Sequence, residues 1–255
     1  MKEYVIKVVS YKRPNNNTCN LLMKYRLNWQ VFVYSFDPFI NEYIKNYGEH
    51  VRQITEFDTA NLSKKRQLVL DTSIEEGYEY CIMLDDDIEF MELVDYPSKI
   101  TKEITIEDSI VYMLKLMIKN KKYLALTASY NISSDPSKKD IEEYKCICNN
   151  SIFNLNEYKN CDVKYNPLSE SEDTEFTLEL LIHKYTIGRL KKLCIHNTLQ
   201  GGTTGDGLSY RFENTNRFLK EANYIISKYP QFKNAIEYGE NYFKLNSRKL
   251  KGLLK

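Results

Sequence analysis

CIMLDDDIEF, residues 81–90, runs four apolar residues straight into three consecutive carboxylates, Asp85, Asp86 and Asp87. A short apolar run of this kind predicts a strand covered on both faces, which leaves the acids at its carboxyl end. A solvated turn also carries acids at little cost. Here, however, Ile88 and Phe90 resume the apolar pattern, so the chain enters and leaves a core on either side of the triplet.

Upstream, strand-like and helix-like segments alternate: YVIKVVSY (4–11), TCNLLMKYRLN (18–28), WQVFVYSF (29–36), DPFINEYIKNYG (37–48), VRQIT (51–55), LSKKRQLVLDTSIEEG (62–77) and YEYCIMLDDD (78–87). That order predicts βαβ units around a mostly parallel sheet, an α/β fold in which ligands bind at the carboxyl ends of the strands. Downstream the pattern predicts a helix over 106–120, a strand over 123–132 and strands in KCICNNSIFNL (145–155) and CDVKYNP (161–167). In SESEDTEFTLELLIHKYTIG (169–188), Ser169 stands three residues before Glu172, a capping-box spacing, and the helix is expected to stop near Gly188. KKLCIHNT (191–198) reads as a strand, LQGGTTGDGLSY (199–210) as a glycine-rich loop able to close over a ligand, and the chain from Glu213 onward as helical. No repeat or low-complexity linker divides the chain. Residues 1–212 are expected to form the main domain and 213–255 a basic, helical extension packed on it.

Lys+Arg 36 against Asp+Glu 35 gives a net charge of +1 over 255 residues, so no global field points to nucleic acid or acidic lipid. No apolar run reaches the roughly 18 residues of a membrane span, and MKEYVIKVVSY is too interrupted by charge for a secretory signal. The expectation is a cytoplasmic protein. Six cysteines are scattered and read as reduced thiols. A zinc set from Cys146, Cys148, Cys161 and His183 or His196 lacks a second close pair and is set aside.

Bunched carboxylates with no His-Cys pattern beside them suit a hard cation. Mg²⁺ or Mn²⁺ takes one or two of them and completes its shell with phosphate and water. The triplet therefore reads as a seat for a metal-bound diphosphate.

VVSYKRP (8–14), NLSKKRQ (61–67) and MLDDD (83–87) together resemble the GT-A glycosyltransferases over roughly residues 4–200. Within that group YKRP, DDDI and EDTEF look most like the TET/JBP-associated enzymes, which include phage glycosyltransferases of hydroxymethylated pyrimidines. The resemblance implies a GT-A nucleotide-diphospho-sugar transferase fold and a metal-dependent hexosyl transfer, with inversion. The implied donor is UDP-glucose. The implied acceptor is a hydroxyl of a hydroxymethylpyrimidine such as hydroxymethylcytosine, or of a sugar already on it, in bacteriophage DNA.

By the same resemblance Asp87 binds the metal, Asp86 the ribose hydroxyls, and Asp85 a metal-bound water or the donor sugar. Tyr11, Arg13 and Asp37 line the nucleotide pocket, and Arg66, or its neighbours Lys64 and Lys65, approaches the donor. Gln67 stands where Asn is usual. Asp173 is the expected general base with Glu172 in reserve, against plain helix capping by the same acids. His196 is expected as an extra ligand of the metal or diphosphate, and could equally be a satisfied core histidine. Arg248, Lys249 and Lys251, with Lys244 and Lys255, form a basic strip suited to DNA phosphates or simply to solvent. Two other readings stand beside this one: a GT-A transferase acting on a cell-surface glycan or protein, and a non-catalytic sugar-nucleotide or nucleic-acid binding module.

Overall fold

The computed structural model describes residues 2–130, 132, 137, 139–147, 150–167, 171–198, 216–238 and 243–254. Strands β1 (Lys2–Val9), β2 (Trp29–Tyr34), β3 (Val51–Ile54) and β4 (Tyr78–Asp85) pair in parallel in the order β3-β2-β1-β4. They are joined by α1 (Asn17–Leu22), α2 (Ile40–Tyr47) and α3 (Leu62–Glu75), the βαβ alternation that the sequence predicts. Period-two packing is plain in β1: Val5 and Val9 enter one core cluster, Ile6 and Val8 the other. In β4, Cys81 and Met83 alternate with Tyr80, Ile82 and Leu84 in the same way. Both sheet faces are thus buried, which is why these strands read as continuous apolar runs.

Beyond β4 the sheet becomes mixed. β9 (Ser151–Asn154) is antiparallel to both β4 and β7 (Ala125–Ser129), β7 is parallel to β10 (Ile187–Asn197), and the antiparallel strands β5 (Ile88–Val94) and β6 (Thr101–Ile104) close the far edge. A short β8 (Ile141–Glu143) also pairs with β10. Helix α4 (Ile106–Lys119) matches its predicted span, with Thr105 accepting from Asp108 N–H as the N-cap.

Several boundaries differ from expectation. Helix α6 (Glu172–Ile182) starts with Ser171 as N-cap and ends six residues before Gly188; Ser169 lies outside the described residues. Gly188 instead sits in β10, where a Cβ would come within 2.8 Å of Ile141 and 3.0 Å of the Glu142 carbonyl. A glycine that looks like a helix stop serves strand packing. CDVKYNP contains no strand, whereas SIFN does, followed by the one-turn α5 (Leu155–Tyr158). Among the described residues the C-terminal part is helical only in α7 (Asn216–Lys228), a 3₁₀ turn (Pro230–Ala235) and α8 (Ser247–Leu253), with the antiparallel pair β11 (Ile236–Tyr238) and β12 (Phe243–Leu245) between them. Ile225, Tyr229, Phe232, Ile236 and Leu250 from this part join the core cluster that holds Val5, Val69 and Phe176.

Candidate active site

The acidic triplet lies where β4 ends, beside the ends of its parallel neighbours, and the first turn of α1 holds the corner. Thr18 donates its hydroxyl to the Asp85 carbonyl at 2.6 Å and accepts from Ile88 N–H at 3.0 Å. Asn16 caps that turn by accepting from Cys19 N–H. The backbone of the triplet is therefore tied before any ligand arrives.

Successive side chains diverge, and this separates the three acids. Asp86 is 7% exposed and engages both oxygens internally: Oδ2 accepts from Ser10 Oγ at 2.6 Å and Oδ1 from Arg13 Nη1 at 2.8 Å. Ser10 also bonds Tyr43 Oη at 2.6 Å, and that phenol accepts from Arg13 N–H at 2.8 Å. Asp86, expected at the ribose, makes a buried tie between β4 and the loop after β1. Asp85 and Asp87 stay partly open, each with 17% of its side chain exposed. Burial, assisted by Asp86 and opposed by Arg13, holds Asp87 above the ordinary carboxylate range. Burial also raises Asp85, with Arg66 opposing and Asp87 and Asp86 adding to the rise.

Residues expected in the nucleotide pocket gather at the same edge. Tyr11 packs edge-on to Tyr34 with centroids 5.9 Å apart. Asp37 is 2% exposed and accepts from Lys12 N–H at 2.8 Å and Phe39 N–H at 3.0 Å, so it shapes the loop. Lys12 adopts φ 57 there, a left-handed turn that aims its N–H at Asp37. Lys65, weighed as a donor contact, is instead buried: its Nζ donates to the Ser10 carbonyl and lies 4.0 Å from the Tyr34 ring centroid. Burial lowers its ammonium to about 7. Lys64 stacks over Phe57 at 5.3 Å.

Arg66, expected to approach the donor, is held between the two acidic motifs. Only 2% exposed, it points from α3 to the start of α6, pairing with Asp173, with Glu172 at 3.2 Å, and with Asp85 at 3.7 Å. It therefore bridges the two acidic motifs. Burial pushes the Asp173 carboxyl up to about 7, with Arg66 opposing and Glu172 adding to the rise. Gln67, one residue on, accepts from Tyr158 Oη and from Tyr165 N–H, pinning the segment that leads to α6.

His196 faces away from the triplet: Nε2 lies 2.9 Å from Glu92 Oε2 and the ring stacks on Phe90 at 4.1 Å. Its neighbour Asn197 donates instead to Asp87 Oδ1 at 2.5 Å. Strand alternation already turns Asn197 opposite to His196, and the β5–β10 register shifts here by one residue, Glu89, on the β5 side. The divalent cation implied by the fold finds oxygen-only donors in Asp85 and Asp87. Among the described residues no group of three His, Cys, Asp or Glu side chains forms a ligand cage. Two carboxylates without a cage suit Mg²⁺ or Mn²⁺, which draw remaining ligands from phosphate and water. The described cysteines are free thiols, and Cys148, with the GGTTGDG loop, lies outside the described residues.

The basic strip lies on α8, away from these motifs in sequence and partly neutralised. Lys249 pairs with Glu237 at 3.4 Å, Lys251 lies 5.9 Å from the Tyr144 ring centroid, and Arg248 is exposed. Nothing is described of the Lys244 side chain, and Lys255 is outside the described residues. Sequence reasoning passed over Ser10, Thr18, Tyr43, Asn150 and Asn197. Ser10 stands inside the VVSYKRP motif with no role read for it; the others come from helices and strand ends with no local motif.

The chain matches no curated protein. The model of the TET-associated glycosyltransferase family matches residues 4–202. Solved structures with the same fold include Staphylococcus aureus TarS 1–349 in complex with UDP-GlcNAc, at TM-score 0.61 and 14% identity, covering 99% of this chain and 70% of that one. A second TarS 1–349 structure aligns at TM-score 0.51 and 14% identity over 76% of this chain, but only 59% of that one. The mannosyltransferase PcManGT of Pyrobaculum calidifontis, in complex with GDP-Man and Mn²⁺, aligns at TM-score 0.57 and 9% identity over 88% and 64% of the two chains. At such identities the structures establish the fold alone, the GT-A fold of nucleotide-diphospho-sugar transferases, and the family match does the rest: the chain belongs to the TET-associated glycosyltransferases.

Proposed function

We propose that this protein transfers a hexosyl group from a UDP-sugar, UDP-glucose being the first to test, to a hydroxyl of a modified pyrimidine or its attached sugar in DNA. The observation that carries the reading is the bridge of Arg66 between Asp85, at the donor end of β4, and Glu172 and Asp173, at the head of α6. A metal-and-donor seat beside a carboxylate pair is what an inverting transfer requires.

Asp87, with Asp85 beside it, would hold Mn²⁺ or Mg²⁺, and the ion when bound would neutralise charge on the diphosphate. Arg13, which reaches Asp86 and Asp87, adds fixed positive charge on the same side. Tyr11, backed by the buried Tyr34, offers aromatic surface to the nucleotide. Asp173 takes the proton of the acceptor hydroxyl as its oxygen bonds to the anomeric carbon, while the carbon–oxygen bond to the diphosphate breaks on the opposite face. Arg66 keeps that carboxylate charged and aimed.

Family membership supports a DNA acceptor. The TarS complex favours including UDP-GlcNAc among donors, and an acceptor on a cell-surface glycan remains the second reading. The test is incubation of hydroxymethylpyrimidine DNA, pre-glycosylated DNA and free glycans with UDP-glucose, UDP-GlcNAc and GDP-mannose plus Mn²⁺, read by mass spectrometry of nucleosides and products. Sugar on DNA is the expected result. Sugar on the glycan alone overturns the acceptor, and neither transfer nor donor hydrolysis overturns the enzyme reading in favour of a binding module.

A further inference from the structure

Asn150 is 1% exposed, immediately precedes β9 and adopts φ 60, the left-handed region that asparagine tolerates better than most side-chain-bearing residues. Its backbone carbonyl accepts from Ala128 N–H at 2.9 Å, locking the turn to β7. Its carboxamide spans two partners. Oδ1 accepts from the backbone N–H of Asp85 at 3.1 Å, and Nδ2 donates to Asn197 Oδ1 at 3.3 Å. Asn197 Nδ2 then donates to Asp87 Oδ1 at 2.5 Å.

The ends dictate the direction of this chain. A backbone N–H can only donate and an ionised carboxylate can only accept, so each amide between them is held in one orientation. Thr198 N–H reinforces the terminus by donating to the Asp87 carbonyl at 2.9 Å. We propose that Asn150 and Asn197 form a one-way hydrogen-bond relay from the backbone of Asp85 to the carboxylate of Asp87, and that this relay positions Asp87 for the divalent cation. The two residues act through Asp87 and are positioning residues. The inference rests on the reading of Asp87 as the metal carboxylate.

Outer-shell hydrogen bonds of this kind are worth about 10–100-fold in metal affinity. The test is calorimetric titration of Mn²⁺ into the full chain with UDP present, for wild type, Asn197→Ala, Asn150→Gly and the double variant. Glycine preserves the left-handed backbone while removing the carboxamide. UDP affinity without metal and thermal unfolding are measured in parallel. The relay requires each single variant to weaken Mn²⁺ about 10-fold or more, UDP binding without metal to stay near wild type, and the double variant to lose little more than either single. Mn²⁺ affinity unchanged in the single variants, losses that multiply in the double variant, or losses matched by equal loss of metal-free UDP binding overturn the relay. If wild type with UDP binds no Mn²⁺, the metal reading of Asp87 falls and takes the relay with it.

Discussion

The two acidic motifs of this protein are built on opposite plans. At the end of β4, Asp85, Asp86 and Asp87 are held by groups from five places in the chain: Ser10, Arg13, Thr18, Asn150 and Asn197. At the head of α6, Glu172 and Asp173 share one buried guanidinium, Arg66. The first arrangement fixes geometry redundantly, as a seat for a cation and diphosphate needs. The second sets the protonation of Asp173 by burial and Glu172 against the one guanidinium of Arg66, a balance suited to a group that must gain and lose a proton.

That contrast can be broken most severely at the first motif. Asp87→Asn keeps shape but removes charge from the seat, and transfer is expected to fall by about 10³-fold or more, equivalent to several kcal/mol of lost charge stabilisation. The check is donor turnover with Mn²⁺ titrated against chelator. Full activity in this variant with chelator present would sink the metal reading.

Asp173→Asn should cost about 10²- to 10⁴-fold in the chemical step while UDP-sugar affinity stays near wild type, the signature of a lost general base. A loss confined to Glu172→Gln would move the role one residue back. A fall in thermal stability alone in both would leave them as helix-capping acids.

Because burial pushes Asp173 up to about 7, kcat/KM should rise with pH through that region as the carboxyl ionises. Its folded value lies above its ordinary one, 3.8, so the charged form is disfavoured in the fold. This group's contribution to stability therefore declines as pH rises from about 3.8 to about 7. Arg66→Met removes the opposing cation, so the rising limb of the pH–rate profile should move to higher pH. Loss of one partner from this buried ion cluster should also lower stability by about 3–5 kcal/mol, read by denaturant unfolding. An unmoved limb would show that Arg66 does not set the base.

The smallest effect is expected at the surface. Neutralising Arg248, Lys249 and Lys251 together should leave donor hydrolysis unchanged and flatten the salt dependence of transfer to long DNA, by up to about 0.9 in log–log slope per phosphate contact. The Lys249–Glu237 pair already offsets one of these charges. Equal salt slopes in variant and wild type would remove the strip from the DNA interface.

The parallel half of the fold was legible because β1, β2 and β4 are buried on both faces and alternate with capped amphipathic helices, so local pattern and global position agree. Gly188 misled because a glycine stops a helix and permits a close strand crossing with equal ease, and only the approach of Ile141 distinguishes the two. Asp86 and Arg66 are expected at the donor because their motifs carry the right charge. Charge does not say how far a side chain is buried, and both are held by partners within the protein.

By itself the sequence determined the alternation of elements, the strand end that carries the acids and the helix that carries the second acidic pair, since these depend on residues close together along the chain. Tertiary structure alone decided that Arg66 joins the two motifs, that Asn197 rather than His196 reaches Asp87, and that Asp86 is a tie to Ser10. Apart from Arg66–Asp85, those contacts link residues 76 to 110 positions apart, through hydrogen bonds and ion pairs whose partners leave no periodic trace in sequence.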